Sequence, residues 1–323
     1  MREEISAAIK EVASDVVFGE NVRIVGERVF ISSGVVIGDD VSICAEEIHI
    51  GYRSVIEERC NFSAIGTPAE SIHIGDFCFI GYDTRILVPT LSVGDYTAIH
   101  NHVLVNGYNA CRIGHNSFIG QHSVLNASEE LIIGNNFRMA LNGYIWTHAE
   151  SGELLEGCNI YYRAPTVIED NVWLMGCNIT VSPGVRLGNG SIILMGSIVT
   201  KDTLPKHCYA GVPARDITEK VKPYREVSFQ EKVAMMKKFV QEFIEINGKQ
   251  YAKSFIFIQG AESKLNNPGA KIVFIEKGPP VPLGAGISVY SLSEKTYLKQ
   301  RTEIEERFMR FLVGARARFL PIY

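Results

Sequence analysis

From Ile74 onward, branched apolar residues return every six positions and group in threes: Ile74, Ile80, Ile86, then Val93, Ile99, Val105, then Ile113, Ile119, Leu125, then Ile133, Met139, Ile145. A long interruption follows. The rhythm resumes at Ile168, slips by one near Leu174 and Met175, and runs on through Val181, Leu187, Ile193 and Val199. Earlier traces with irregular joints are Phe18, Ile24, Phe30, Ile37, Ile43 and Ile50, Ile56, Phe62. Where nothing intervenes, each triplet starts 19 or 20 positions after the last. The starts share a form: IHIGD at 72–76, LSVGD at 91–95, CRIGH at 111–115, LIIGN at 131–135 and VRLGN at 185–189. Glycine is expected to permit a tight corner there, and Asp or Asn to tolerate left-handed turns. Four positions past the apolar residue stands a small one (Cys78, Thr97, Ser117, Ser123, Ser191, Ser197), with Phe137 the exception.

This repeat predicts a triangular solenoid. Each hexad is one short strand and one corner, and three hexads make a coil. The large apolar residue and the small one four later point inward, and coils stack at about 4.8 Å. One coil buries nothing by itself, so stability comes from neighbouring coils. The rhythm ends at Val199, where Pro205 and Pro213 oppose further ladder pairing. From about Ser228 the period changes. Val233, Met236, Phe239, Val240 and Phe243 fall on one helical face ending at Gly248. KSFIFIQG, AKIVFIEKG and GISVYSL read as strands and TEIEERFMRFLVG as a closing amphipathic helix. The expected layout is a helical cap over residues 1–16, with the helix itself at about 2–13, the solenoid over 17–217, and an α+β unit over 218–323.

Composition narrows the function classes. Of 323 residues, 46% are hydrophobic and 21% charged, which excludes wholesale disorder. The formal net charge of −4 argues against a general nucleic-acid footprint. The apolar runs are too short for a transmembrane helix, and the N-terminus lacks the apolar middle of a signal peptide. Seven cysteines without a C-x-x-C pair point to reduced thiols and a cytoplasmic protein.

The repeat resembles the hexapeptide-repeat acyltransferases. The resemblance covers about residues 18–217 and is most specific at 168–217, where the order DNVW, PGV, GSIVTKD, GVPAR is similar to the galactoside, maltose and nodulation-type sugar O-acetyltransferases. It implies a mainly β fold, a left-handed parallel β-helix, assembled as a homotrimer with sites in the grooves between subunits. It also implies acetyl-CoA as acyl donor, a saccharide or other small acceptor, no metal, and direct transfer assisted by a histidine base. The one histidine of the long insertion, WTHAESGELLEGCNIYYRAPTV, is His148. An imidazole suits the task because its ordinary pKa lies near working pH. Glu150, Glu153 and Glu156 are all available to orient it.

For coenzyme A, the resemblance carries Thr200, Lys201 and Arg215 over as contacts to the nucleotide end, and Cys177 and Met195 as the wall of the pantetheine arm. Trp173 is expected to wall the acceptor or thioester pocket. Gly120 and Ser128 stand where galactoside enzymes bind their acceptor, so a galactoside is not implied. His102 and His122 occupy the same place in consecutive coils, with Asn142 in the next, an outward column suited to acceptor binding from a neighbouring subunit. His100 and His115 read as polar ladder residues. The alternatives are an N-acetyltransferase on an amino sugar, a metalloenzyme similar to the γ-class carbonic anhydrases, and a non-catalytic trimeric scaffold.

Overall fold

The computed structural model describes residues 4–258 and 269–322. The chain divides into two compact units, Met1–Tyr224 and Arg225–Tyr323.

In the first unit the hexads build a parallel β-helix of three faces. One coil shows the plan: Arg85–Leu87 lies on face one, Thr90–Val93 on face two and Ala98–Ile99 on face three, and Leu104–Gly107 returns to face one directly above Arg85–Leu87. Registers repeat the sequence rhythm, with Ile80 beside Ile99, Ile99 beside Ile119 and Ile119 beside Met139. The rhythm's apolar residues are buried except Phe18 and Phe30, which are half-buried (at Phe30 the inward residues are its neighbours Val29 and Ile31), and Cys78, Thr97, Ser117, Ser123, Ser191 and Ser197 are buried too. Phe137 is also buried, so the larger ring is accommodated at the same inward place. Each fully buried isoleucine contributes about 1.5–3 kcal/mol. Strand Ser42–Ile50 runs through the corner between faces one and two, pairing with Arg23–Val25 at one end and Arg28–Ile31 at the other.

The corners correct the reading of the I-G-D/N segments. Their glycines are not the left-handed residues. A Cβ on Gly114 would stand 2.6 Å from the carbonyl carbon of Gly134, and one on Gly94 would stand 2.5 Å from the amide of His115. The missing side chain therefore lets successive coils approach. The Asp or Asn that follows does not adopt the left-handed turn either. Its side chain accepts the amide of the same position one coil earlier: Tyr52 N–H to Asp76, Asp76 to Asp95, Asp95 to Nδ1 of His115, His115 to Asn135, Asn135 to Asp170, all at 2.7–2.9 Å. The left-handed residue comes next: Phe77, Tyr96, Asn116, Asn136 and Asn171 have φ between 55° and 61°.

Among the described residues the expected N-terminal helix is absent. Glu4–Ser6 and Ile9–Val12 are strands that complete the first coil, pairing with Arg23–Val25 and Arg28–Ile31. Ile5 lies beside Ile24 and Ile24 beside Ile43, so stacking on the next coil overrides the helix propensity of this Ala- and Glu-rich stretch. The slip near Met175 is an extra residue in the corner between faces three and one, where Gly176 takes φ 89°.

The second unit carries a five-stranded sheet in the order Phe255–Ile258, Ile272–Ile275, Ser288–Ser291, Thr296–Leu298, Leu320–Ile322, parallel except between the third and fourth strands. Residues 259–260 of KSFIFIQG lie outside the described residues. Helix Phe229–Asn247 begins with a reciprocal cap between Ser228 and Glu231. Its Phe243 packs edge-on against Phe255, Phe308 and Phe311, and Phe308 and Phe311 belong to helix Glu303–Val313. Among the described residues, no helix is long and apolar enough to cross a membrane.

Candidate functional site

The interruption after Ile145 is a hairpin that leaves the coil at the corner between faces one and two. His148–Ala149 pairs antiparallel with Tyr162–Arg163, His148 opposite Arg163. The stem is tied to the coil by Ala164 N–H to Thr147 O at 3.1 Å and by the Thr166 hydroxyl to Trp146 O at 2.7 Å. The tip turns at Leu154–Gly157 and is exposed, Leu155 to 88%.

Asn126 holds the imidazole. It sits on face one, in the coil before the hairpin, and is 2% exposed. Its Oδ1 lies 2.8 Å from Nδ1 of His148. The same oxygen accepts the Thr147 amide at 3.3 Å and the Thr147 hydroxyl at 2.8 Å, while Nδ2 donates to Asn106 O and to Ser128 Oγ. A backbone N–H only donates, so the Asn126 atom facing Thr147 is the oxygen. Nδ1 of His148 therefore donates to it, and in the neutral ring Nε2 keeps its lone pair. Trp146 packs edge-on against the ring at 6.0 Å.

None of the three expected carboxylates orients the ring. Glu150 pairs with Arg163 at 3.6 Å, and Glu153 and Glu156 are exposed on the hairpin. Sequence reasoning missed Asn126, because a polar residue in an outward hexad position gives no sign that a later insertion will bury it.

The other expected residues fall at two places. Thr200 and Lys201 follow strand Ile198–Val199 at the corner between faces one and two, the corner that carries the hairpin. Both are exposed, and among the described residues Lys201 has no carboxylate partner. Arg215, on strand Ala214–Asp216 opposite Ala210, is likewise exposed and unpaired. Trp173 lies on face three beside Arg138 and Ile192 and is 44% exposed. Cys177 and Met195 lie where face three turns into face one, Cys177 half-buried and Met195 exposed.

The same turn carries the histidine column. His102, His122 and Asn142 are left-handed corner residues there, and the rings of His102 and His122 stack at 4.8 Å. The column continues downward through Asp83, which Arg59 grips with two hydrogen bonds at 2.8 and 2.9 Å. Within one chain Thr200 and Lys201 thus lie at the corner that carries the His148 hairpin, two coils on, whereas His102, His122, Asn142, Cys177 and Met195 lie at a different corner. His100 lies between Phe79 and Phe118. Among the described residues, no three His, Cys, Asp or Glu side chains converge on a metal position. Burial pushes the thiols of Cys60, Cys78 and Cys111 up to about 12, which makes them packing groups rather than nucleophiles.

No protein-family model matches the chain. A galactoside O-acetyltransferase of Escherichia coli strain K12 is 37% identical over 93 residues, 28% of this chain and 42% of that protein. A 2,3,4,5-tetrahydropyridine-2,6-dicarboxylate N-acetyltransferase of Staphylococcus aureus strain JH9 is 43% identical over 73 residues, 22% of this chain and 30% of that protein. The chain therefore spans less than half the length of either relative. A hexapeptide-repeat containing acetyltransferase of Vibrio cholerae, solved with acetyl coenzyme A, is 24% identical, covers 52% of this chain and 69% of its own, and superposes with a TM-score of 0.29. In its hexad repeat, its β-helix and these sequence matches, the chain is similar to the hexapeptide-repeat acetyltransferases, the galactoside O-acetyltransferases among them.

Proposed function

We propose that the protein is an acetyl-CoA-dependent acetyltransferase that acylates a hydroxyl of a sugar or polysaccharide building block, with His148 as general base. The observation that carries this reading is the bond from His148 Nδ1 to Asn126 Oδ1, which leaves Nε2 of the neutral ring as the acceptor atom. Nε2 takes the proton of the acceptor hydroxyl as its oxygen adds to the thioester carbonyl. Collapse of the tetrahedral adduct breaks the carbon–sulfur bond, and the imidazolium returns the proton to the departing thiolate. No acyl-enzyme forms.

Lys201 and Arg215 suit the phosphates of the donor because both cations are exposed and unpaired among the described residues. Trp173 and Met195 offer exposed apolar surface for the pantetheine arm or the thioester pocket. His102, His122 and Asn142 lie at another corner from His148, so a site using both sets draws them from two copies of the chain. A homotrimer with its clefts between subunits meets that requirement.

Incubation with radiolabelled acetyl-CoA and a panel of sugars tests the reading. A labelled product cleaved by hydroxylamine is an ester and supports it. A resistant product is an amide and favours transfer to an amino sugar, whereas no labelled product with any acceptor overturns the transferase reading.

A further inference from the structure

We infer that Arg163 is a positioning residue for His148, clamping the hairpin strand that carries the imidazole to the coil corner that carries Asn126. The inference rests on the reading of His148 as the base. Arg163 lies directly opposite His148 in the hairpin stem. Its Nη2 donates to the carbonyl of Ser128 at 3.1 Å, and its Nε lies 3.1 Å from Glu129 Oε1 and 3.6 Å from Glu150 Oε2. One guanidinium thus joins two walls. Ser128 and Glu129 belong to the coil corner two and three residues after Asn126, and Glu150 stands two residues after His148 on the hairpin.

The same corner is already woven into the base. The Ser128 hydroxyl accepts from Asn126 Nδ2 at 3.2 Å, and the Glu129 amide donates to the Thr147 hydroxyl at 3.0 Å. That hydroxyl in turn donates to Asn126 Oδ1. A shift of the corner relative to the hairpin therefore moves the acceptor that fixes the imidazole tautomer.

Charge makes the clamp specific. Glu129 comes from the coil and Glu150 from the hairpin, and both approach one cation. Oε2 of Glu150 is buried and makes no hydrogen bond, so its charge is balanced by Arg163. Without the guanidinium, two carboxylates face each other across the joint and push the hairpin away from the coil. Lysine supplies the charge but not the fork that reaches a carbonyl and two carboxylates at once.

The test uses the full-length protein. Arg163→Ala is expected to lower kcat by about ten- to a hundredfold, since small misplacement of a base is costly, while the KM for acetyl-CoA stays within about twofold. Arg163→Lys falls between the two. Adding Glu129→Gln to Arg163→Ala relieves the repulsion and recovers several-fold of the lost kcat, a rescue that general loss of structure does not give. Nitrogen-15 NMR of the His148 ring gives a reading independent of turnover: a protonated Nδ1 in the unmodified protein, and an averaged tautomer in Arg163→Ala. If Arg163→Ala does not fold, Glu150→Gln and Arg163→Lys carry the same NMR comparison. Unchanged ring nitrogen signals in a folded variant overturn the clamp, and so does a double variant no better than Arg163→Ala. If the unmodified protein acylates nothing, the transferase reading fails while the ring signals still decide the clamp.

Discussion

The Oδ1 of Asn126 accepts from both the Thr147 amide and Nδ1 of His148, so one buried oxygen fixes the backbone at the hairpin's root and the tautomer of its imidazole. Removing it should cost stability and rate together. Asn126→Ala leaves the Thr147 amide and the imidazole N–H without their acceptor, which predicts about 1–3 kcal/mol of lost stability. It also predicts a kcat lower by about a hundredfold. Asn126→Asp keeps an acceptor but places a negative charge beside the ring. That charge favours the imidazolium, so the rising limb of the pH–rate profile should move to higher pH. Calorimetry and a pH series measure both effects, and an unshifted limb in Asn126→Asp would separate His148 from the proton transfer.

The coil architecture was legible because its rule is simple. A buried side chain every six residues has no cheaper explanation than three-sided stacking, and Ile80, Ile99 and Ile119 stack as their spacing requires. What the glycines and carboxamides of the I-G-D/N segments do was not legible, because it depends on the adjacent coil. Gly114 is glycine on account of Gly134, and Asp95 meets the amide of Asp76, 19 positions earlier. The N-terminal strand had left a trace: Ile5 stands 19 positions before Ile24, the coil spacing, although its neighbours favour a helix. At the site, the insertion advertised His148, but Asn126 and Arg163 become neighbours of it only when the hairpin folds back on the coil.

The close approach at Gly114 predicts a large effect from a single methyl. In Gly114→Ala the new Cβ meets backbone of the next coil at 2.6 Å, and backbone cannot move aside as a flexible side chain does. Overpacking of this kind is expected to cost about 2–3 kcal/mol. Asn116→Gly, at a left-handed position with φ 56°, is expected to cost less, because glycine accepts that conformation and no backbone clash replaces the lost side-chain bond to Asn136. Urea denaturation of both variants gives the order, and a Gly114→Ala protein as stable as Asn116→Gly would refute the close-packing account.

Lys201 and Arg215 predict a separation of binding from chemistry. Lys201 and Arg215 have no carboxylate partners among the described residues, so replacing either by alanine strands no opposite charge and should leave the melting temperature nearly unchanged. If they hold donor phosphates, Lys201→Ala should raise the KM for acetyl-CoA about tenfold while kcat stays close to its original value. Added salt should raise the KM of the unmodified protein more steeply than that of the variant, because screening removes what the substitution has already removed. Parallel salt slopes would take Lys201 out of the donor site.

Asp216 makes acid stability of the first unit testable. Its carboxylate accepts from the Thr218 hydroxyl at 2.6 Å and the Thr218 amide at 2.8 Å, and lies 2.6 Å from Nδ1 of His207. The Thr218 hydroxyl also receives the Cys208 amide, so this cluster closes the chain's exit from the last coil. The Thr218 hydroxyl and amide, helped by His207, bring the carboxyl down from 3.8 to about 2. A folded value below the unfolded one means that the carboxylate stabilises the fold above about pH 4 and that this contribution disappears as pH falls from about 4 toward 2. Asp216→Asn should therefore melt lower than the unmodified protein at pH 7, and the two melting curves should converge as pH approaches 2. Because Asp216 is exposed, the gap at pH 7 should also narrow in high salt. A gap that stays constant across the acid range would mean that the Thr218 bonds act through shape rather than through the charge of the carboxylate.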